Sequence, residues 1–215
     1  MKYEAVLFDM DGTTVNSIND MHFCVNAAME HFSMPGRTLE EVTAFVGNGA
    51  KRLIELAVPA GTGEEKAAEV LAYYKDFYNR HCRVRTEPYD GILPLLDALR
   101  SVGIKTAIVS NKPDPTVKEL CAAFFAGRLD CAAGESADIR RKPAPDMVDK
   151  AISEMGAEKA RCVYVGDSEV DIDTARNAGI DCISVTWGFR SRERLEEAGA
   201  AILIDSIEEL QALLL

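Results

Sequence analysis

The sequence predicts an α/β protein with a doubly wound parallel-sheet core and an inserted helical segment. Three observations favour this fold. Short apolar runs recur along the chain, and each is followed by a polar or glycine-containing turn, as in buried parallel strands. Segments with helical apolar spacing lie between these runs, so strands and helices alternate. One region near the N-terminus is helical throughout and interrupts the alternation.

The predicted strands are five short apolar runs in the first half and the last third of the chain. Because helices separate most of them, right-handed crossovers would place the strands in one open sheet with helices on both faces. The runs are residues 5–8, 106–109, 162–165, 182–185 and 201–204.

The predicted core helices each end at a glycine. Glycine adopts the left-handed conformation at little cost, so it commonly follows the last turn of a helix. The helical segments are residues 92–102, 146–155 and 171–178, and the glycines that follow them are Gly103, Gly156 and Gly179.

The inserted segment, residues 18–85, has helical apolar spacing and no convincing strand. Thr38 and Glu41 fit a capping box at the start of one of its helices. We therefore predict two domains, an α/β core of residues 1–17 and 86–215 and a helical domain of residues 18–85.

The composition argues against several classes of partner. The 215 residues carry a formal net charge of −11, which repels nucleic acid and anionic membrane surfaces. No apolar stretch reaches the roughly 20 residues of a membrane span, and the N-terminus does not resemble a secretion signal. We therefore expect a cytosolic monomer or homodimer that binds neither nucleic acid nor membranes.

Cysteine and histidine do not form a recognisable metal-binding pattern. The six cysteines are scattered without a Cys-x-x-Cys pair, and the three histidines have no ligand spacing. We expect buried free thiols, and histidines with surface or packing roles.

Two carboxylates follow the first predicted strand directly. If the extended geometry persists, Asp9 and Asp11 point the same way because they are two residues apart. Gly12 then permits a sharp turn that brings the backbone close to a ligand. Ligands of open α/β sheets bind beyond the carboxyl ends of the strands, where this pair lies. The alternative is a solvated turn that merely ends the strand.

Later strand ends add groups that suit phosphate and a cation. Ser110 follows the second predicted strand, Asp167 follows the third, and Asp171 lies one helical turn further on. Lys142 lies in a proline-containing loop that would restrict its position, and a lone lysine there would otherwise be a surface charge. Asp167 and Asp171 would orient Lys142, and their oxygen ligands suit magnesium. This collection favours a binding site over a solvated turn.

The order of these motifs resembles that of the haloacid dehalogenase superfamily, and the match spans nearly the whole chain. An Asp-x-Asp-Gly-Thr run recurs by chance roughly once in 10⁵ positions, and three ordered companions make coincidence remote. The motifs are Asp9-Met10-Asp11-Gly12-Thr13, Ser110, Lys142 and Gly166-Asp167-Ser168-Glu169-Val170-Asp171. The resemblance implies the Rossmann-like α/β core of that superfamily and a helical cap over residues 18–85, as in phosphoglycolate phosphatases.

The resemblance also implies how phosphate is handled. Asp9 would attack phosphorus and form an aspartyl phosphate, while Asp11 would protonate the leaving oxygen and later activate water. Ser110, Asn111 and Lys142 would hold the phosphoryl oxygens.

By the same resemblance, magnesium would be the cofactor. The Asp9 carboxylate, the backbone carbonyl of Asp11 and Asp167 would bind it. Thr13 would support this arrangement, and Asp171 would support Lys142 and the metal-bound water. The cation and Lys142 would cancel the repulsion between a carboxylate nucleophile and a phosphate dianion.

A glycine loop in the inserted segment resembles the cap loop of the phosphoglycolate phosphatases. Its candidate substrate-binding residues are Gly47, Asn48 and Gly49, and the alternative is a plain turn between two helices. Lys51 and Arg52 follow the loop and are candidates to bind a second anionic group of the substrate. Exposed cations on a helix more commonly interact only with solvent.

The chain departs from its relatives at Thr14 and Asn16, where the subfamily commonly has leucine and aspartate. Asn16 is expected to cap the following helix instead. These changes bear on substrate preference and cap movement, since neither affects the nucleophile or the acid. Near the C-terminus, residues 186–189 also resemble the subfamily. Beyond them, Arg190, Arg192 and Arg194 are interpreted as a solvated helix start.

The function implied by the resemblance is a magnesium-dependent phosphatase for a small phosphomonoester, of the phosphoglycolate phosphatase type. Pyrophosphate, sugar phosphates and nucleoside monophosphates remain open as substrates. A phosphosugar mutase of the β-phosphoglucomutase type is the rival enzyme, although such mutases often have glutamate where this chain has Gly166. A noncatalytic phosphoacceptor is a different class, and Asp11 argues against it because a nearby general base would hydrolyse the aspartyl phosphate.

Overall fold

The computed structural model describes residues 2–215, which form two compact units. The larger unit contains the described residues up to Val15 together with Pro88–Leu215, and the smaller unit is Asn16–Glu87. The divisions after residues 15 and 87 each lie two residues from the predicted domain boundaries after residues 17 and 85.

Eight strands occur within residues 2–215, and six of them form one sheet. Strands β1 to β8 are Ala5–Phe8, Val15–Asn16, Glu87–Pro88, Lys105–Pro113, Cys131–Glu135, Cys162–Gly166, Asp181–Val185 and Leu203–Ile204. The large sheet has the order β5-β4-β1-β6-β7-β8, and β2 with β3 forms a separate two-stranded sheet.

All neighbouring strands of the large sheet are parallel, which confirms the predicted sheet. The chain passes from β1 to β4 and β5 on one side, then returns to β6, β7 and β8 on the other. The direction of the strand order therefore reverses at β1. A crevice for ligands forms at such a reversal, beyond the carboxyl ends of the strands.

Strand β1 forms the centre of this sheet because all four of its residues are apolar and fully buried. Phe8 pairs with Ile108 of β4 and with Val165 of β6. Phe8, Ile108 and Val165 therefore lie at one level, so the residues that follow them gather at one edge of the sheet.

Strand β5 was not among the predicted strands. Its residues, Cys-Ala-Ala-Gly-Glu, are small and lack the β-branched and aromatic side chains typical of strands. The strand exists because it pairs with β4 at the edge of the sheet. Gly134 allows this pairing to be close, since a Cβ atom there would lie 2.7 Å from the carbonyl oxygen of Lys112 in β4.

Within residues 2–215, six α-helices belong to the larger unit and four to the smaller unit. The left-handed conformations of Gly103, Gly156 and Gly179 confirm the predicted helix ends. Helices α1 to α10 are Ile18–His31, Leu39–Phe45, Gly49–Ala57, Glu64–His81, Ile92–Ser101, Asp114–Phe124, Asp146–Met155, Glu169–Ala178, Arg192–Glu197 and Ile207–Leu214.

The start of α2 confirms the predicted capping box, because the Thr38 hydroxyl accepts from the Glu41 amide and the Glu41 carboxylate accepts from the Thr38 amide. The predicted cap at the start of α1 is wrong. Ser17 occupies the capping position, and the Asn16 side-chain oxygen is buried without a hydrogen-bond partner among residues 2–215. The chain turns into the helix one residue later than the capping pattern suggested.

The structure agrees with the expectation of free, mostly buried thiols and of histidines with packing roles. All six cysteines are free thiols; five are buried and Cys182 is partly exposed. His22 and His81 each bond a backbone carbonyl, and His31 stacks on a tyrosine ring. Among the described residues, no helix is both long enough and apolar enough to cross a bilayer.

The smaller unit contains a buried carboxylate that connects its two ends. Asp20, in the first turn of α1, is 1% exposed. It accepts hydrogen bonds from the backbone amides of Arg85 and Thr86, at 2.9–3.0 Å, and from the Thr86 hydroxyl at 2.8 Å. These bonds satisfy the buried charge and hold the segment after α4 against α1.

We expect Asp20→Asn to lower the free energy of unfolding by about 1–3 kcal/mol, because an amide NH₂ group would face backbone N–H donors. Urea unfolding of the purified protein measures this. Asp76→Asn is the matched control, since Asp76 is exposed on α4 and pairs with Arg80, so its loss should cost about 0–1 kcal/mol. Equal costs for the two variants would contradict a stabilising role for the Asp20 bonds.

Candidate active site

The first candidate residues lie in a tight turn after β1. The amides of Thr14 and Val15 both bond the Met10 carbonyl at 3.0 Å, and Gly12 has a positive φ of 86°. A side chain at Gly12 would collide with the Asp167 carboxylate. Glycine is therefore required here both for its backbone conformation and for its small size.

Lys142 is a buried ammonium that connects three elements of the sheet edge. Its Nζ lies 2.8 Å from Asp9 Oδ1 and 2.7 Å from Asp171 Oδ1, and it donates to the Tyr164 hydroxyl at 3.0 Å. The Tyr164 hydroxyl in turn donates to the carbonyl of Val109 at 2.9 Å. The three donors of the ammonium thus have three acceptors, which the burial of this charge requires.

The Asn111 side chain holds the backbone of Lys142 in place. Its Oδ1 accepts from the Lys142 amide at 2.8 Å, and its Nδ2 donates to the Lys142 carbonyl at 3.1 Å. This two-point contact fixes the loop that presents the ammonium. The phosphate contact of Asn111 that the resemblance implies stays a prediction.

Asp167 and Asp171 are held by donors from different parts of the fold. Asp171 accepts from the amide and hydroxyl of Ser168 at the start of α8, at 3.1 and 2.6 Å. Asp167 accepts from the Thr13 hydroxyl at 3.2 Å and from the Phe189 amide at 2.7 Å. The Thr13 hydroxyl thus contacts Asp167, and the supporting role of Thr13 stays a prediction.

The segment 187–189 fits closely against Asp167, a role the sequence did not reveal. The Trp187 indole donates to the Thr13 carbonyl at 3.1 Å. A Cβ atom on Gly188 would collide with the Asp167 side chain and lie 2.5 Å from the Gly12 carbonyl oxygen. The only signal in the sequence was a resemblance of this segment to relatives, which says nothing of its contacts.

The electrostatics of the site are dominated by burial and by crowded charge. Burial and the neighbouring charge of Asp171 raise the pKa of Asp167 to about 7. Burial also raises the pKa of Asp9 well above its usual value, although Lys142 opposes this. Burial disfavours the ammonium of Lys142, but Asp171 and Asp9 outweigh it and hold the pKa of Lys142 well above the usual range.

Asp9, Asp167 and Asp171 form a cluster that could hold a metal ion, since one carboxylate oxygen from each lies within 4.8 Å of the others. When all three are ionised, Lys142 compensates one charge and two negative charges are left within the cluster. A divalent cation supplies that charge, and oxygen ligands suit a hard ion. The residues therefore fit such an ion.

Ser110 and Lys112 lie at the end of β4, where the pairing with β5 is irregular between Val109 and Pro113. Such an irregularity re-aims side chains next to a site. The Ser110 hydroxyl accepts from the Lys112 amide at 3.2 Å, and Lys112 Nζ lies 3.2 Å from Asp11 Oδ1. Lys112 was not among the predicted site residues, although Lys112 follows Ser110 at the same strand end.

The interpretation of three arginines as solvated is wrong for Arg190. It is 5% exposed, and its guanidinium lies 3.0 Å from Glu169 at the start of α8. Arg194 also pairs with Glu169, whereas Arg192 pairs with Asp205, and both are exposed. Charge spacing along α9 could not show that α8 lies beside Arg190.

The candidate residues of the glycine loop lie between α2 and α3. Gly47 and Gly49 have positive φ angles of 121° and 77°, and Asn48 precedes the first residue of α3. Lys51 and Arg52 are exposed on α3, where both approach Glu55. Their substrate contacts stay predictions.

Comparison with known proteins identifies the family. A model of the haloacid dehalogenase-like hydrolases matches residues 6–185. Phosphoglycolate phosphatase 1 of Pseudomonas aeruginosa is 30% identical over 211 residues, 95% of this chain and 77% of that protein. N-acetylmuramic acid 6-phosphate phosphatase of the same organism is 29% identical over 215 residues, 98% of this chain and 94% of that protein.

A solved structure gives the same result. A candidate phosphoglycolate phosphatase from Lactobacillus delbrueckii subsp. bulgaricus has a TM-score of 0.96 and 38% identity, with 100% of this chain and 99% of that chain covered. The chain therefore belongs to the haloacid dehalogenase-like hydrolases, as its motifs predicted. Within that family it is a phosphatase, a hydrolase of phosphoric monoesters that resembles the phosphoglycolate phosphatases.

The raised pKa of Asp167 predicts how stability depends on pH without metal. The carboxyl ionises near pH 4 in the unfolded chain and near pH 7 in the fold. Its contribution to stability is therefore fully present below pH 4 and is lost as the pH rises to about 7. In EDTA at pH 8, we expect the free energy of unfolding of Asp167→Asn to exceed that of the unaltered protein by about 2–4 kcal/mol. This difference should vanish near pH 4.

Urea unfolding across this pH range measures the effect. Asp173→Asn, an exposed position of α8 paired with Arg176, is the control and should follow the unaltered protein. If the Asp167→Asn variant shows the same pH dependence as the unaltered protein, Asp167 is not the titrating group.

Proposed function

We propose that this phosphatase hydrolyses a small phosphomonoester with magnesium and through an aspartyl-phosphate intermediate. One observation carries the proposal. The buried Asp9 carboxylate lies at the end of β1, beside one ammonium and two further carboxylates that together leave charge for a divalent cation. A carboxylate placed in this way has the setting of a nucleophile rather than of a surface turn.

In the first step, an Asp9 oxygen forms a bond to phosphorus while the bond between phosphorus and the ester oxygen breaks. Asp11 gives its proton to the departing oxygen. In the second step, Asp11 takes a proton from water, the water oxygen attacks phosphorus, and the bond to Asp9 breaks to release phosphate. Atoms and charge balance because Asp11 ends as it began.

Lys142 and Ser110 bind the phosphoryl oxygens in this mechanism. Lys142 already contacts one oxygen of Asp9, so its charge lies where the phosphoryl group must arrive. Ser110 is 2% exposed at the end of β4, and its hydroxyl is fixed by the amide of Lys112. Such preorganised groups stabilise the transition state more than the ground state.

The Asp9 and Asp167 carboxylates and the Asp11 carbonyl would hold magnesium. When bound, the ion supplies positive charge that cancels the repulsion between Asp9 and the phosphate. Asp171 keeps Lys142 in place, and Thr13 with the Phe189 amide keeps Asp167 in place. Each of these residues acts by orientation, which the mechanism requires to within a fraction of an ångström.

The surroundings of Gly166, which precedes Asp167, do not favour the mutase alternative. A Cβ atom on Gly166 would collide with the Cβ and Cγ atoms of Asp171. A glutamate of the mutase type would therefore displace the carboxylate that holds Lys142. This supports hydrolysis over isomerisation.

The substrate we favour is a phosphomonoester that carries a carboxylate, with phosphoglycolate as the first candidate. The relatives named above act, by their names, on phosphoglycolate and on N-acetylmuramic acid 6-phosphate. Both compounds are acids as well as phosphate esters. The exposed cations Lys51 and Arg52 follow the glycine loop of the proposed cap and are candidates to bind the second charge.

The decisive experiment is a screen of kcat/KM over small phosphomonoesters and pyrophosphate, with magnesium and with EDTA. Asp9→Asn should abolish turnover, and Asp11→Asn should lower it by about 10² to 10⁴ because an acid-base group is lost. Turnover in EDTA should be close to background. Full activity of Asp9→Asn would refute the covalent mechanism, and unaffected turnover in Asp11→Asn would remove Asp11 from it.

For the second charge, we expect Lys51→Ala and Arg52→Ala each to raise KM about two- to fivefold for phosphoglycolate and to leave KM for ethyl phosphate nearly unchanged. Lys75→Ala is the control, because Lys75 is an exposed cation on α4. Equal effects of Lys51→Ala and Arg52→Ala on the two esters would exclude these cations from substrate recognition.

A further inference from the structure

Lys112 is a second buried ammonium, and no step above depends on it. Its residue is 6% exposed, and its Nζ lies 3.2 Å from Asp11 Oδ1. We propose that Lys112 is a positioning residue that holds the Asp11 carboxyl group in the orientation from which Asp11 gives a proton to the leaving oxygen and later takes one from water. This inference rests on the proposed function, since it assigns Asp11 the role of acid and base.

The burial of Lys112 supports the proposal. Removing an ammonium from water costs several kcal/mol unless it is paired, so a flexible lysine would otherwise extend into solvent. The side chains of Lys112 and Asp11 are 4% and 11% exposed. A lysine kept inside the protein at this distance restricts the rotation of the carboxylate that it pairs with.

The backbone of Lys112 is also held in place. Its amide bonds the Ser110 hydroxyl, and its carbonyl oxygen would lie 2.7 Å from a Cβ atom on Gly134 of β5. Asp114 follows Lys112 by two residues, and its Oδ1 accepts a hydrogen bond from the Gly134 amide at 3.1 Å. The start of the Lys112 side chain is thus fixed against the edge of the sheet, as a positioning residue requires.

The two buried lysines contact different carboxylates. Lys142 contacts Asp9, Asp171 and Tyr164, whereas Lys112 contacts Asp11. Once Asp11 has given up its proton, its pair with Lys112 is neutral, so it adds no charge to the metal-binding cluster.

A loss of orientation at Asp11 has a specific chemical consequence. An alkoxide leaves poorly without a proton, whereas p-nitrophenolate is stable as an anion and needs little help from an acid. The value of kcat/KM reports the steps up to transfer of the phosphoryl group to Asp9, before water is activated. A defect in Asp11 orientation should therefore lower kcat/KM for alkyl esters much more than for p-nitrophenyl phosphate.

The test compares ethyl phosphate with p-nitrophenyl phosphate, because neither carries a carboxylate that could contact Lys112 directly. We expect Lys112→Met to lower kcat/KM about 10- to 100-fold for ethyl phosphate and less than about threefold for p-nitrophenyl phosphate. Lys118→Met removes an exposed lysine paired with Asp114 and is the matched control. It should leave unchanged the ratio of kcat/KM for ethyl phosphate to kcat/KM for p-nitrophenyl phosphate. Equal losses for both esters in Lys112→Met would overturn the proposal.

A double variant tests whether Lys112 acts through Asp11. Adding Lys112→Met to Asp11→Asn should not change the ratio further, whereas an additional loss would show a separate role and contradict the proposal. If Asp11→Asn keeps both activities, the acid-base role of Asp11 in the proposed function fails, and the role of Lys112 fails with it. If Asp11→Asn discriminates between the esters and Lys112→Met does not, only the role of Lys112 fails.

Discussion

The buried ammonium of Lys142 is the interaction on which the rest of the site depends. Asp9 and Asp171 come from separate elements of the sheet edge, and both lie within 2.8 Å of this one group. Without it, neighbouring carboxylates would have to share a buried volume with no compensating charge, and the pKa of Asp9 would rise further. The rest of the site serves to keep this ammonium fixed, through Asn111 on its backbone and Tyr164 on its side chain.

In the proposed mechanism, chemistry and substrate choice are separable. Phe8, Ile108 and Val165 lie at one level in β1, β4 and β6, and the residues that follow them are the proposed nucleophile, phosphate-binding hydroxyl and metal-binding carboxylate. These groups are buried and held by hydrogen bonds or ion pairs, so in the proposed mechanism they act in the same way on any phosphomonoester that reaches them. The residues proposed to recognise the rest of the substrate are instead exposed, on a loop and helix of the smaller unit. Such positions change more easily without loss of stability.

Much of the candidate site could be predicted because its residues directly follow strands that are strongly apolar. Asp9 and Asp167 were found in this way, and both lie where the pattern placed them, at the ends of β1 and β6. Strand β5 could not be found, because its small residues carry no strand signal of their own and form a strand only by pairing with β4. The contact of Lys112 with Asp11 could not be predicted, because the alternation of side chains fails at the irregularity near the end of β4.

The sequence by itself determined the fold class, the family and the identities of the charged groups, because apolar period and motif order are local properties of the chain. Only the tertiary structure decided which charges meet: Lys142 with Asp9 and Asp171, Lys112 with Asp11, and Arg190 with Glu169. It alone showed that Gly188 has no room for a side chain beside Asp167. The physical reason is that these partners are far apart in the chain. Their distances follow from strand order and from packing at the sheet edge, which no local pattern of residues encodes.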